Sequence, residues 1–99
     1  MYNIAIFTCS GNGVVRVCSV YDADKLVLID LDSDTIREYR NPLKDGIDQL
    51  EEFIEEHDIV IVFCNKIPDH IRGSIEVTGV KIYDGVNTTL HEFLNRIRS

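Results

Sequence analysis

The chain is short of positive charge: ten Lys and Arg stand against seventeen Asp and Glu, a formal net charge of -7 over 99 residues. A general attraction to phosphate backbones or anionic bilayers is therefore missing, and neither nucleic acid nor a membrane surface is an expected partner. Long hydrophobic runs are missing as well. The longest strongly apolar stretch, Ile59 to Cys64, falls far below the ~20 residues that a membrane-spanning helix needs. Neither a basic leader nor a cleavable apolar segment precedes the first cysteine. Cysteine itself is sparse. Cys9, Cys18 and Cys64 are an odd number with no Cys-x-x-Cys among them, which excludes a metal-finger spacing and a paired disulfide framework and points to a reduced, cytosolic protein. No repeat, linker or low-complexity segment interrupts the chain.

What is present suffices for one core. The length fits a single domain over residues 1–99, and 44% hydrophobic residues argue against disorder. Tyr2 to Thr8 is a mostly apolar run closed by Gly11 and Gly13, the pattern of a buried strand. Lys25 to Asp30 and Thr35 to Arg40 form two more strands, joined as a hairpin through Asp32, Ser33 and Asp34. After Asn41-Pro42 the period changes: Ile47, Leu50, Phe53 and Ile54 recur at helical spacing through about Glu56. The opposite face of that helix, with Asp48, Glu51, Glu52, Glu55 and Glu56, reads as solvated, and a docking surface for a basic partner is the sharper alternative. Asp58 to Phe63 is apolar on both faces, as a central parallel strand is. Pro68 suits a first helical position ahead of Ile71 and Ile75, with Gly79 as the stop, and Val80 to Tyr83 is a last short strand. A final helix opens on a Thr89/Glu92 capping box, carries the stripe Leu90, Phe93, Leu94 and Ile97, and ends with Arg96 and Arg98. The expected fold class is α/β, with a mixed five-stranded sheet: an antiparallel meander of three strands, then parallel crossover units, with about three helices.

In open α/β sheets ligands bind beyond the carboxyl ends of the strands. That rule selects Cys9 to Arg16 after the first strand and Cys64 to His70 after the fourth. If the two strands are adjacent and parallel, Cys9 and Cys64 emerge at one rim with Cys18 on the loop above. Three thiolates there are candidate soft ligands for iron-sulfur, copper or zinc centres. The plain alternative is that each free cysteine is a small buried hydrophobe. Gly11 and Gly13 either let an anionic group approach the backbone or permit positive φ in a tight connection. Asn65, Lys66 and Pro68 precede a helix start whose amides attract anions, and ordinary capping explains them equally well. Of His57, His70 and His91, only His70 falls near this rim, and Arg16 either pairs with a bound anion or is a solvated charge.

At this point the sequence resembles the dinitrogenase iron-molybdenum cofactor biosynthesis proteins, small domains related to nitrogenase accessory factors. The resemblance rests on Ile4-Ala-Ile, Leu28-Ile-Asp30, Asn41-Pro42, Gly46-Ile47, Asp58-Ile-Val-Ile-Val62, Asn65 with Pro68, and Gly79-Val-Lys-Ile-Tyr83 followed by Gly85-Val86, Thr89 and Glu92. It implies a three-layer fold similar in topology to ribonuclease H. It also implies a non-catalytic, cytoplasmic carrier or assembly factor for an iron-sulfur or molybdenum-containing cluster, with cofactor-assembly or metalloprotein client proteins as partners. The sequence departs from the family in the stretch before the second strand. Where members carry a histidine in His-Phe-Gly-Arg-Ala, this chain has Ser19-Val-Tyr-Asp-Ala23, and Cys64 replaces a common glycine. Thiolates of Cys9, Cys18 and Cys64 could stand in for the lost imidazole, with Gly11, Gly13 and Asn65 receiving the cluster, or the chain could keep only the scaffold as an interaction module.

An enzyme alternative comes from the same loop. Cys9-Ser-Gly-Asn-Gly-Val-Val-Arg16 is similar to the phosphate loop of low-molecular-weight protein tyrosine phosphatases, in which a cysteine attacks phosphorus. It has one residue too many between Cys and Arg, and no evident helix follows.

Overall fold

The computed structural model describes residues 2–98. Its elements in chain order are β1 (Asn3–Gly11), β2 (Val14–Val17), β3 (Lys25–Asp30), β4 (Ile36–Arg40), a short 3-10 turn (Pro42–Asp45), α1 (Ile47–Glu56), β5 (Ile59–Phe63), α2 (Asp69–Glu76), β6 (Lys81–Tyr83) and α3 (Leu90–Arg98). The strands form one mixed sheet in the order β4-β3-β1-β5-β6, with β2 paired to the outer half of β1. β1 is antiparallel to β3 and parallel to β5, which is in turn parallel to β6. The α/β class, the mixed sheet and the three helices agree with the sequence reading. The sheet has six strands rather than five.

The additional strand is β2, and it exists because of two residues. Asn12 and Gly13 both take positive φ, 53° and 76°, the backbone of a two-residue turn whose twist matches that of the strands it joins. Gly11 therefore faces Val14, and the ladder continues through Cys9 opposite Arg16 to Thr8 opposite Val17. Asn-Gly between short apolar runs is a strong hairpin signal, but the sequence reading took Gly11 and Gly13 only as the close of the first strand and placed no strand after them.

Alternation along β1 builds two cores. Ala5 and Phe7 face α1 and α2, where they join Leu50, Ile54, Ile71 and Ile75. Ile4 and Ile6 face α3 and meet Val27, Ile29 and Phe93. A central strand covered on both faces has no polar side to alternate with, which is why the run reads as continuously apolar. β5 is of the same kind.

Side-chain caps and turns fix the connections. Asp30 Oδ1 accepts from the amides of Asp32 and Ser33 at 2.8 and 3.2 Å, closing the β3–β4 turn. Asn41, fully buried, accepts from Leu43 N and donates to the carbonyls of Val20 and Ala23. Pro68 occupies the N-cap of α2 with extended backbone, one position before the first helical residue expected for it. At α3, Thr89 Oγ1 accepts from Glu92 N at 3.1 Å, one half of the expected capping box. The Glu92 carboxylate turns to Thr88 Oγ1 at 2.8 Å instead of returning to the cap. The expected place of the Arg98 side chain at the helix end lies outside the described structure.

Candidate functional site

β1 and β5 run side by side as far as Ile6 opposite Phe63, where β5 ends and β1 continues into its hairpin with β2. Three segments converge beyond that point. Asn65 N donates to Cys18 O at 3.0 Å and Val20 N to Lys66 O at 3.1 Å, so the segments after β2 and after β5 are joined through their backbones. Gly85 N donates to Asn65 O at 2.8 Å, Val86 N to Cys64 O at 3.2 Å, and Asn65 Nδ2 to Val86 O at 3.1 Å, which fastens the segment after β6 to the same place. Over the joint lies an open groove of about 490 Å³, lined by Ser19, Tyr21, Asp22, Lys66, Ile67, Pro68 and Asp84. Tyr21 Oη lies 3.2 Å from His70 Nε2. Arg72 on α2 pairs with Asp84 at 3.2 Å.

The thiols do not share one environment. Alternation places Cys9 on the face that Ala5 and Phe7 use. Cys18, just past β2, packs against that core half-buried, and Cys64 is part of it with no exposure. Burial pushes the Cys18 thiol well above its ordinary range, helped by a hydrogen bond with Cys9 and by the negative charges of Cys9, Asp22 and Asp24. The Cys64 thiol is pushed up to about 11, chiefly by burial and further by Asp84, with Arg72 opposing. Both are neutral thiols at pH 7, and a metal that bound either would first have to displace its proton.

The structure thus brings Cys9 and Cys18 together and leaves Cys64 in the core. Among the described residues, no three His, Cys, Asp or Glu side chains form a set that could hold a metal ion. Gly11 and Gly13 lie in the β1–β2 hairpin, where a Cβ on either would meet open space; Gly13 is required for its positive φ. Asn65 spends its backbone N–H on Cys18 and its side-chain amide on Val86. The phosphatase-like reading of Cys9 to Arg16 is overturned by the hairpin: the two residues face each other across an antiparallel ladder, so no anion-cradling loop lies between them. His70 is exposed on the first turn of α2 beside Tyr21, His57 caps the end of α1 with Nδ1 3.0 Å from Phe53 O, and His91 lies near Asn95 on α3.

Tyr21, Asp22 and Asp84 escaped the sequence reading. The stretch Ser19 to Ala23 was marked only as a departure from the family, and the three residues meet only when segments distant in sequence come together. The rule that strand ends make sites located one of the three segments, the one after β5; the other stretch it selected, Cys9 to Arg16, is the β1–β2 hairpin.

Two helices on one face of a mixed sheet, one on the other, and a groove past the carboxyl ends of two parallel strands define a small three-layer α/β domain. The chain belongs to the dinitrogenase iron-molybdenum cofactor family, whose sequence model matches residues 3–99. No curated protein matches the sequence. Among solved structures, the crystal structure of PH0822 superposes with a TM-score of 0.80 at 17% identity, over 96% of this chain and 88% of that one. The apo form of the orange protein from Desulfovibrio gigas gives 0.71 at 12% identity, over 99% and 88%. TM1290 from Thermotoga, a NifB-like protein of the DUF35 family solved by NMR, gives 0.72 at 14%, also over 99% and 88%. At such identities the likeness is one of fold. No helix among the described residues is long and apolar enough to cross a membrane.

Proposed function

We propose that this protein is a carrier or assembly factor that holds a metal-sulfur cluster as cargo in the groove where the segments after β2, β5 and β6 meet, and passes it to a client protein. The reading is carried by the family match over residues 3–99, which ties the chain to iron-molybdenum cofactor metabolism. The groove supports it by lying beside the backbone joint of Cys18 with Asn65: it is lined by their chain neighbours Ser19 and Lys66, though by none of the three cysteines themselves.

Cys9 and Cys18 are the first ligands in this proposal, because soft thiolates favour the metals of such clusters. Cys64 joins them only if the segment of residues 64–68 lifts from the core. Two carboxylates, Asp22 and Asp84, line the groove against the single ammonium of Lys66. Affinity for an anionic cluster therefore has to come from metal-thiolate bonds rather than from the field of the groove. Each bond displaces a thiol proton, so loading is favoured as pH rises. No catalytic step is part of the proposal.

A second reading, an interaction module that retains only the scaffold, is favoured by the lack of a three-donor set among the described residues. One experiment separates the two. Protein purified anaerobically, together with its Cys9→Ser/Cys18→Ser variant, is analysed for iron, molybdenum and copper and for visible absorption. The carrier reading expects bound metal in the wild type and a loss of at least tenfold in the variant. Equal metal content in both proteins removes the thiolate ligands, and none in either after reconstitution with a thiomolybdate leaves the scaffold reading.

A further inference from the structure

Cys9 and Cys18 sit on the two strands of one hairpin. Cys9 faces Arg16 in the ladder, and Cys18 follows two residues later with its amide donating to Phe7 O at 3.0 Å. This makes them diagonal neighbours on the same face of the hairpin, and Cys9 is near enough to act electrostatically on the Cys18 thiol. Diagonal Cα atoms in a ladder lie ~7–8 Å apart, and a relaxed disulfide spans up to ~6.8 Å. Cys18 stands just beyond the last residue of β2, held by its amide, which donates to Phe7 O, and its carbonyl, which accepts from Asn65 N, so closing the gap takes a shift of about 1 Å that carries these contacts with it. Cys64 has no such neighbour. The charges that act on it are those of Asp84 and Arg72, and it has no exposed surface.

We propose that Cys9 and Cys18 are a redox modification site that forms a reversible intrachain disulfide by exchange with a low-molecular-weight disulfide of the glutathione type. The thiolate of Cys9 attacks one sulfur of the small disulfide, forming a mixed disulfide and expelling one thiolate, which takes up a proton. Cys18 then loses its proton and attacks Cys9 Sγ, expelling the second small thiolate, which takes up a proton. Two protein thiols and one small disulfide become one protein disulfide and two small thiols, and a reductant of the same class reverses the exchange. Closure draws the start of the segment of residues 18–24 toward β1. The Cys18 carbonyl, which accepts from Asn65 N, moves with it, and so does the groove wall that carries Ser19, Tyr21 and Asp22.

The chemistry is independent of the carrier reading, since metal uptake plays no part in its test. The reduced protein is equilibrated with oxidised and reduced glutathione at several ratios, quenched with acid, alkylated, and measured by intact mass and non-reducing peptide mapping. The expected result is loss of two hydrogens without a glutathione adduct, a linked peptide pair containing Cys9 and Cys18, an alkylatable Cys64 after unfolding, and full reversal by dithiothreitol. The Cys18→Ser variant is expected to stop at the mixed disulfide on Cys9. A link that involves Cys64, a stable glutathione adduct on the wild type, or no change at the most oxidising ratio overturns the proposal.

Discussion

Asn41 uses both polar ends of its side chain. Its Nδ2 donates to Val20 O at 2.8 Å and to Ala23 O at 2.9 Å, and its Oδ1 accepts from Leu43 N at 3.0 Å, all without contact with water. One buried amide thus fixes the segment that forms one wall of the groove. Asn41→Ala strands two carbonyls and an amide in the core. The expected loss is about 2–4 kcal/mol, read from urea unfolding, with Tyr21 more exposed to quenchers of its fluorescence. A loss below about 0.5 kcal/mol would mean that water enters and replaces the amide. The sequence showed Asn41 only as half of an Asn-Pro strand breaker. Its partners are backbone carbonyls of a segment without regular structure, and carbonyls leave no trace in a sequence.

Elements bounded by a change of hydrophobic period were legible, and elements made by a turn alone were not. β3 and α1 occupy the expected Lys25–Asp30 and Ile47–Glu56, because each begins and ends where the apolar pattern does. β2 has four residues and little pattern, and it depends on the turn at Asn12 and Gly13. The two hairpin glycines therefore differ in what they tolerate. Gly13→Ala places a Cβ on a backbone at φ 76° and is expected to cost about 1 kcal/mol. Gly11→Ala meets neither positive φ nor a neighbour within 4 Å and is expected to be neutral within about 0.5 kcal/mol. Thermal unfolding of the two variants measures the difference; equal costs would show that the hairpin adopts another turn in solution. The final helix carries the same lesson: Thr89 and Glu92 were legible as a capping pair, yet Glu92 found a second hydroxyl one residue earlier.

At the scale of the molecule, the stability of the fold is linked to the thiol buried in its core. Cys64 titrates at about 11 in the folded protein, above the ordinary 9.0. Below pH 9 both folded and unfolded states keep the proton, and the linkage vanishes. Between the two values the unfolded chain has released it and the folded chain has not, so stability falls as pH rises. Urea midpoints measured from pH 8 to 11 are expected to decline, and the decline is expected to be shallower in Cys64→Ala; part remains because Cys18 is raised as well. Identical slopes would place the Cys64 sulfur in water. The family and the α/β class were readable because they are written along the whole chain in apolar periods and short motifs. The disposition of the three sulfurs was not, because a strand end fixes the rim to which a residue belongs but not the depth at which its side chain comes to rest.

The joint between Cys18, Asn65 and Gly85 also sets an order of events during synthesis. A chain emerging from the ribosome can form the β1–β2 hairpin early, but that hairpin waits for Asn65 and then for the residues up to Thr88, whose carbonyl accepts from Val17 N. The groove therefore cannot close until the chain has been made as far as Thr88, long after the hairpin that forms one side of its joint.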